Sequence, residues 1–140
     1  MAEHPAYPVG LRLTGRRVAV IGGGQVAQRR LPALIAAGAD ILLVSPSATP
    51  SVEAMVDAGE LTWEKRRYAE GDLAEAWYVL IATGDPLANA RASAEAERHR
   101  IWCVRSDNAE EATAWTPATG HSEGVTVAVL TANAQGRDPR

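Results

Sequence analysis

The 140-residue sequence has one cysteine, Cys103, and one lysine, Lys65. A lone cysteine excludes an internal disulfide. His4, His99 and His121 lie far apart, so no zinc-type ligand spacing exists. There is no G-x-S-x-G elbow and no readable pair of nucleophile and base. No apolar run approaches the roughly 20 residues that a bilayer span needs. The first residues carry no apolar h-region. The expectation is a cytoplasmic protein with no membrane partner. A net charge of -3 speaks against a nucleic-acid partner held on a broad basic surface. With 46% hydrophobic and 22% charged residues, the chain has the composition of one soluble globular domain with its own core.

What is present centres on residues 17–27, Arg-Val-Ala-Val-Ile-Gly-Gly-Gly-Gln-Val-Ala. An apolar run stops at three glycines and a helical pattern begins at once. The turn fits G-x-G-x-x-A, with Gly22, Gly24 and Ala27 at the marked positions. Gly22 permits the bend, Gly24 lets a pyrophosphate approach the backbone, and Ala27 lets the helix pack on the strand. The helix N-terminus then presents N–H groups and positive dipole to the phosphates. Gly22, Gly23, Gly24, Gln25 and Val26 are the first candidate cofactor contacts. The plainer alternative is a tight strand-to-helix turn that holds no nucleotide.

The spacing predicts an α/β fold of Rossmann type, a mostly parallel sheet flanked by helices, with two further strands at the C-terminal end. Strands are expected at 17–21, 41–44, 61–65, 77–82 and 101–104, then at 114–117 and 125–130. Helices are expected at 25–37, from a Thr49 cap with Pro50 at its first position to about residue 58, and from Asp85 to about residue 99. Pro32 should kink the first of these. Residues 1–130 read as the domain, and 131–140 as a flexible tail that starts a further C-terminal region.

Ligands of open α/β sheets lie beyond the carboxyl ends of the strands. The second strand ends in Ser45-Pro46, where many NAD-binding folds place Asp or Glu for the ribose. Ser45 offers only a hydroxyl, so this position leaves NAD and NADP open. Thr83, Asp85 and Asn89 follow the fourth strand and are further candidate cofactor contacts. Asp85 also fits as a helix cap. The loop between the last two strands is expected to carry His121. Asp107 follows the fifth strand and is the best catalytic candidate. It could take a proton as hydride leaves a substrate, or hold a divalent metal through oxygen. A turn aspartate bonding its own backbone is an equal alternative on sequence alone.

Several stretches together resemble the N-terminal domain of the siroheme synthase and precorrin-2 dehydrogenase family. They are residues 7–11 (Tyr-Pro-Val-Gly-Leu), 20–30 around the glycine turn, Ala82-Thr83-Gly84-Asp85 with Asn89, Ile101-Trp102-Cys103 leading to Asp107, and Trp115-Thr116-Pro117-Ala118. The resemblance implies NAD-dependent oxidation of precorrin-2 to sirohydrochlorin, often followed by insertion of ferrous iron to give sirohaem. It implies a role for Asp107 as general base, and as a metal contact in the second step. It further implies a homodimer, a helical dimerisation region C-terminal to these residues, and a methyltransferase, fused or separate. Arg105 is expected to meet substrate carboxylates. Many members carry Asn where Val104 or a neighbour stands. Two other readings remain: a regulatory dinucleotide-binding domain without catalysis, and a chelatase that has lost the redox step.

Overall fold

A computed structural model describes residues 4–131. The sheet strands are β1 (Arg17–Ile21), β2 (Asp40–Val44), β3 (Thr62–Glu64), β4 (Tyr78–Ile81) and β5 (Trp102–Arg105), joined in the order β3-β2-β1-β4-β5. Every pairing among them is parallel. Helices α1 (Gln25–Ala36), α2 (Pro50–Asp57) and α3 (Pro86–Arg98) cover the faces.

Alternation along β1 explains the layering, because successive strand residues point to opposite faces. Val18 and Val20 enter one core with Ala27 and Leu31 of α1 and Val52 of α2. Ala19 and Ile21 enter the other with Ala92 and Ala96 of α3 and with Leu73. A strand covered on both faces has to be apolar throughout, and Val18 to Ile21 are 0% exposed. α1 continues through Pro32. Burial of Leu31 and the half-buried Leu34 and Ile35 against the sheet outweighs the missing ladder bond. Gly38, at φ +80, follows the helix in the left-handed conformation that a chain reversal requires.

The chain beyond β5 departs from expectation. Residues 114–117 are not a strand. Thr113 and Ala114 both donate their N–H to the Cys103 carbonyl, and the Trp115 indole N–H bonds Ala109 O at 2.8 Å. Pro117 has no N–H for a ladder. Pairing begins only past it, as β6 (Ala118–Ser122) and β7 (Val125–Val129), an antiparallel hairpin separate from the main sheet. His121 is therefore a strand residue, with Nδ1 3.1 Å from Thr126 Oγ1, and not part of a loop. The expected tail lies outside the described residues from 132 onward. Among the described residues no helix is long and apolar enough to cross a membrane.

Candidate functional site

The strand order reverses direction between β1 and β4. From β1 the chain builds outward through β2 and β3, then crosses back to lay down β4 and β5. Loops leaving β1 and β4 diverge at such a point and open a crevice at the carboxyl edge. Every predicted site residue lies in a segment that follows a strand at that edge.

The glycine turn is held from both sides. Gly22 N–H donates to Val44 O at 2.9 Å, and Thr49 N–H donates to Gly23 O at 3.0 Å. Gly22 has φ +111, and a Cβ there would meet Ala82 O at 2.4 Å. A Cβ on Gly23 would meet Ser47 O at 2.6 Å. A Cβ on Gly24 would meet nothing within 4 Å. Two glycines thus pack against neighbouring loops, and the third faces open space. Gly24 is the N-cap of α1, makes no side-chain cap bond, and has no acidic residue in the turn that follows. The backbone of residues 24–26 is therefore a free, unscreened helix N-terminus, which fits the pyrophosphate of a dinucleotide.

The β2 loop is closed on itself. Ser45 is 5% exposed and its hydroxyl donates to Ser47 O at 2.6 Å. The Trp63 indole N–H bonds Ser45 O at 2.9 Å. Pro46 is exposed at the turn. After β4, the Thr83 hydroxyl donates to Asn89 Oδ1, and Asn89 Nδ2 donates back to Thr83 O at 3.1 Å. Asn89 is fully buried. Asp85 is the exposed N-cap of α3, accepting from Leu87 N–H at 3.0 Å.

Asp107 stands two residues beyond β5 and meets Arg105, the last residue of that strand. Arg105 Nε reaches Asp107 Oδ1 and Nη2 reaches Oδ2, each at 3.0 Å. The Asp107 side chain is 28% exposed, that of Arg105 only 8%. The Arg105 hydrogen bond holds the Asp107 carboxyl below the usual carboxylate range; burial opposes this, and Asn89 and the Arg105 charge add to it. Asp107 is thus a fixed, ionised carboxylate at the mouth of the crevice. Arg105 faces Asp107 instead of reaching outward to substrate carboxylates. The pairing has a sequence signal, since positions i and i+2 at a strand end share a face. Cys103 is buried, and burial pushes its thiol up to about 11, so it is a packing residue and not a thiolate.

The NAD(P)-binding family model matches residues 9–118. The precorrin-2 dehydrogenase of Bacillus subtilis is 33% identical over 127 residues, which is 91% of this chain and 78% of that protein. The siroheme synthase of Azotobacter vinelandii is 35% identical over 122 residues, 87% of this chain but 26% of that longer protein. Among solved structures, SirC, precorrin-2 dehydrogenase, superposes with a TM-score of 0.76 at 26% identity, covering 89% of this chain and 61% of that one. The match to the family model spans most of the chain, and the Bacillus subtilis relative is matched over most of its own length. The chain belongs to the NAD(P)-binding precorrin-2 dehydrogenase family.

Proposed function

We propose that this chain oxidises precorrin-2 to sirohydrochlorin with NAD as oxidant, in the synthesis of sirohaem. One observation carries the reading: the open glycine turn after β1 and the ionised Asp107 after β5 lie at the same carboxyl edge of the sheet. NAD supplies the hydride acceptor when bound. Gly22 and Gly23 shape the turn, and the backbone of Gly24, Gln25 and Val26 would hold its pyrophosphate. Ser45, Pro46, Thr83, Asp85 and Asn89 shape the crevice on either side. The Ser45 hydroxyl and the Asp85 carboxylate are already bonded within their own loops, so these two act through loop shape. Asp107 accepts the proton that the tetrapyrrole loses as its hydride departs. Precorrin-2 and NAD thereby give sirohydrochlorin, NADH and a proton.

The test is anaerobic mixing of the protein with precorrin-2 and NAD, following NADH and sirohydrochlorin together by absorbance. Coupled appearance of both is expected. Asp107→Ala should lose turnover and keep NAD affinity. NAD binding without turnover in either protein would leave a regulatory binding domain. Failure to bind NAD would overturn the reading of the glycine turn.

The same reading carries a cytoplasmic location, a homodimer and a methyltransferase partner, fused or separate. Support for the dimer is the β6–β7 hairpin, which exposes Val125, Val127 and Val129 at 60%, 58% and 61% along one strand. A two-stranded sheet is marginal alone in water, and a stripe of this kind favours cover. Sedimentation of the chain and of Val127→Glu tests this: a dimer that the substitution splits is expected, and a monomer in both would sink it.

A further inference from the structure

Arg105 is buried and rigidly placed. It ends β5, is 7% exposed, and Ser106 beside it donates its N–H to Ile81 O at 3.0 Å. Its fork meets both oxygens of Asp107, the bidentate arrangement that fixes a carboxylate plane. A guanidinium keeps its charge at any ordinary pH. It cannot swing clear of Asp107 without leaving a buried cation unpaired.

That geometry treats a proton and a metal ion differently. Each carboxylate oxygen has a second lone pair beyond the fork, and the Asn89 side chain and the Asp107 N–H also bond this carboxyl. A proton needs only one lone pair and adds a single charge, against the Arg105 pairing that already lowers the carboxyl's pKa. A divalent ion would have to bind those same oxygens at about 2.0–2.6 Å. It would then stand within a few ångströms of the fixed Arg105 charge. Among the described residues no group of three His, Cys, Asp or Glu is gathered to hold a metal.

We infer that Arg105 is the specificity-determining residue of this site, committing Asp107 to proton acceptance and closing it to the divalent cation that metal insertion would bring. The inference rests on the proposed oxidation, and it separates the two roles that Asp107 is expected to serve. Oxidation keeps its base, and iron is a substrate this carboxylate does not receive.

The test supplies sirohydrochlorin and Co2+ directly, without NAD, and follows insertion by absorbance. The proteins are the full chain, Asp107→Ala, Arg105→Val and the double variant. Valine suits a strand end, and Arg105→Gln serves as the second variant should the first fail to fold. The wild type and Asp107→Ala should match the uncatalysed rate within about twofold. Removing the Arg105 charge should raise the rate about fivefold or more, and the added Asp107→Ala should cancel that gain. Insertion by the wild type that disappears in Asp107→Ala would overturn the inference. So would an Arg105 variant no faster than the wild type. The precorrin-2 and NAD assay is read separately. NADH formation with the cobalt pattern absent rejects the role of Arg105 alone. The cobalt pattern without NADH formation rejects the oxidation alone.

Discussion

Gly22 and Ala82 meet so closely that a single added Cβ would stand 2.4 Å from the Ala82 carbonyl oxygen. The loops that end β1 and β4 are therefore in contact at the point where the strand order reverses. Gly22→Ala forces them apart and also places a side chain at φ +111. Overpacking costs about 1–3 kcal/mol and the left-handed conformation about 1–2 kcal/mol. Urea unfolding should show a loss of about 2–5 kcal/mol, and NAD binding should disappear with it.

Gly24→Ala separates binding from folding. Its backbone is at φ -90 and its Cβ position is open. The variant should unfold within about 0.5 kcal/mol of the wild type. Its NAD dissociation constant should nevertheless rise about tenfold or more, a change of about 1.4 kcal/mol, because the methyl stands where the phosphate must approach. Equal affinity by titration would refute a pyrophosphate at this turn.

The parallel sheet was legible because β1, β2 and β4 are nearly unbroken apolar runs, each bounded by glycine or proline, and burial on both faces demands such runs. The glycine turn and the Asp85 and Thr49 caps were legible for local reasons, as each depends on neighbours within a few residues. The stretch 114–117 reads as a strand because Trp115 supplies apolar character, yet it has no partner strand. Its actual partners are Cys103 and Ala109, which no local pattern names. Arg105 reads as a cation whose i, i+2 spacing to Asp107 hints at their pairing, but nothing local fixes where the chain carries Asp107 after the strand. Nothing local marks Glu95. In Ala-Ser-Ala-Glu-Ala-Glu-Arg it looks like surface, and only the phase set by Ala92 and Ala96 turns it inward. The groups that satisfy it come from more than 20 residues away.

Glu95 should therefore be one of the costliest positions in the chain. It is fully buried, and its carboxylate accepts from the Tyr68 hydroxyl, from Gly71 N–H at 3.1 Å and from Leu73 N–H at 3.2 Å. Glu95→Ala orphans three donors at about 1–3 kcal/mol each. A loss of about 3 kcal/mol or more is expected in urea, with the 68–73 loop cleaved first by protease. Tyr68→Phe removes one partner and should cost about 1 kcal/mol.

Stability should fall on the acid side through two carboxylates. Burial works against ionisation of Asp72, but hydrogen bonds from Arg66 and the Ala69 N–H outweigh it and lower its pKa. Arg105 lowers that of Asp107. A carboxylate with a lowered folded pKa stabilises fully above its unfolded value near 4, and that stability is lost as pH falls through the folded value. Urea midpoints should hold steady from about pH 7 to pH 5 and drop below about pH 4. Asp72→Asn should be less stable at neutral pH and show a shallower acid limb. On the alkaline side, burial and the bond to Glu95 raise the Tyr68 pKa. Stability should therefore fall again above about pH 10, as the unfolded chain's tyrosine ionises and the folded one does not.

The Thr83–Asn89 latch makes a prediction whose sign depends on pH. The Asn89 amide has one fixed orientation: Oδ1 accepts from the Thr83 hydroxyl and Nδ2 donates to Thr83 O at 3.1 Å. Asn89→Asp keeps the shape and loses the donor, so the Thr83 carbonyl faces a carboxylate in a fully buried site. The lost bond and the buried charge should cost about 2–4 kcal/mol at pH 7. Desolvation raises the pKa of a carboxyl placed there, and the ionised Asp107 nearby raises it further. A raised folded pKa means the penalty applies above it and fades as pH falls. Asn89→Asp should therefore melt closer to the wild type at pH 5 than at pH 7, and Asn89→Ala should show no such recovery. A constant gap between Asn89→Asp and the wild type across that range would mean that the position is open to water, and that α3 is not latched to the end of β4.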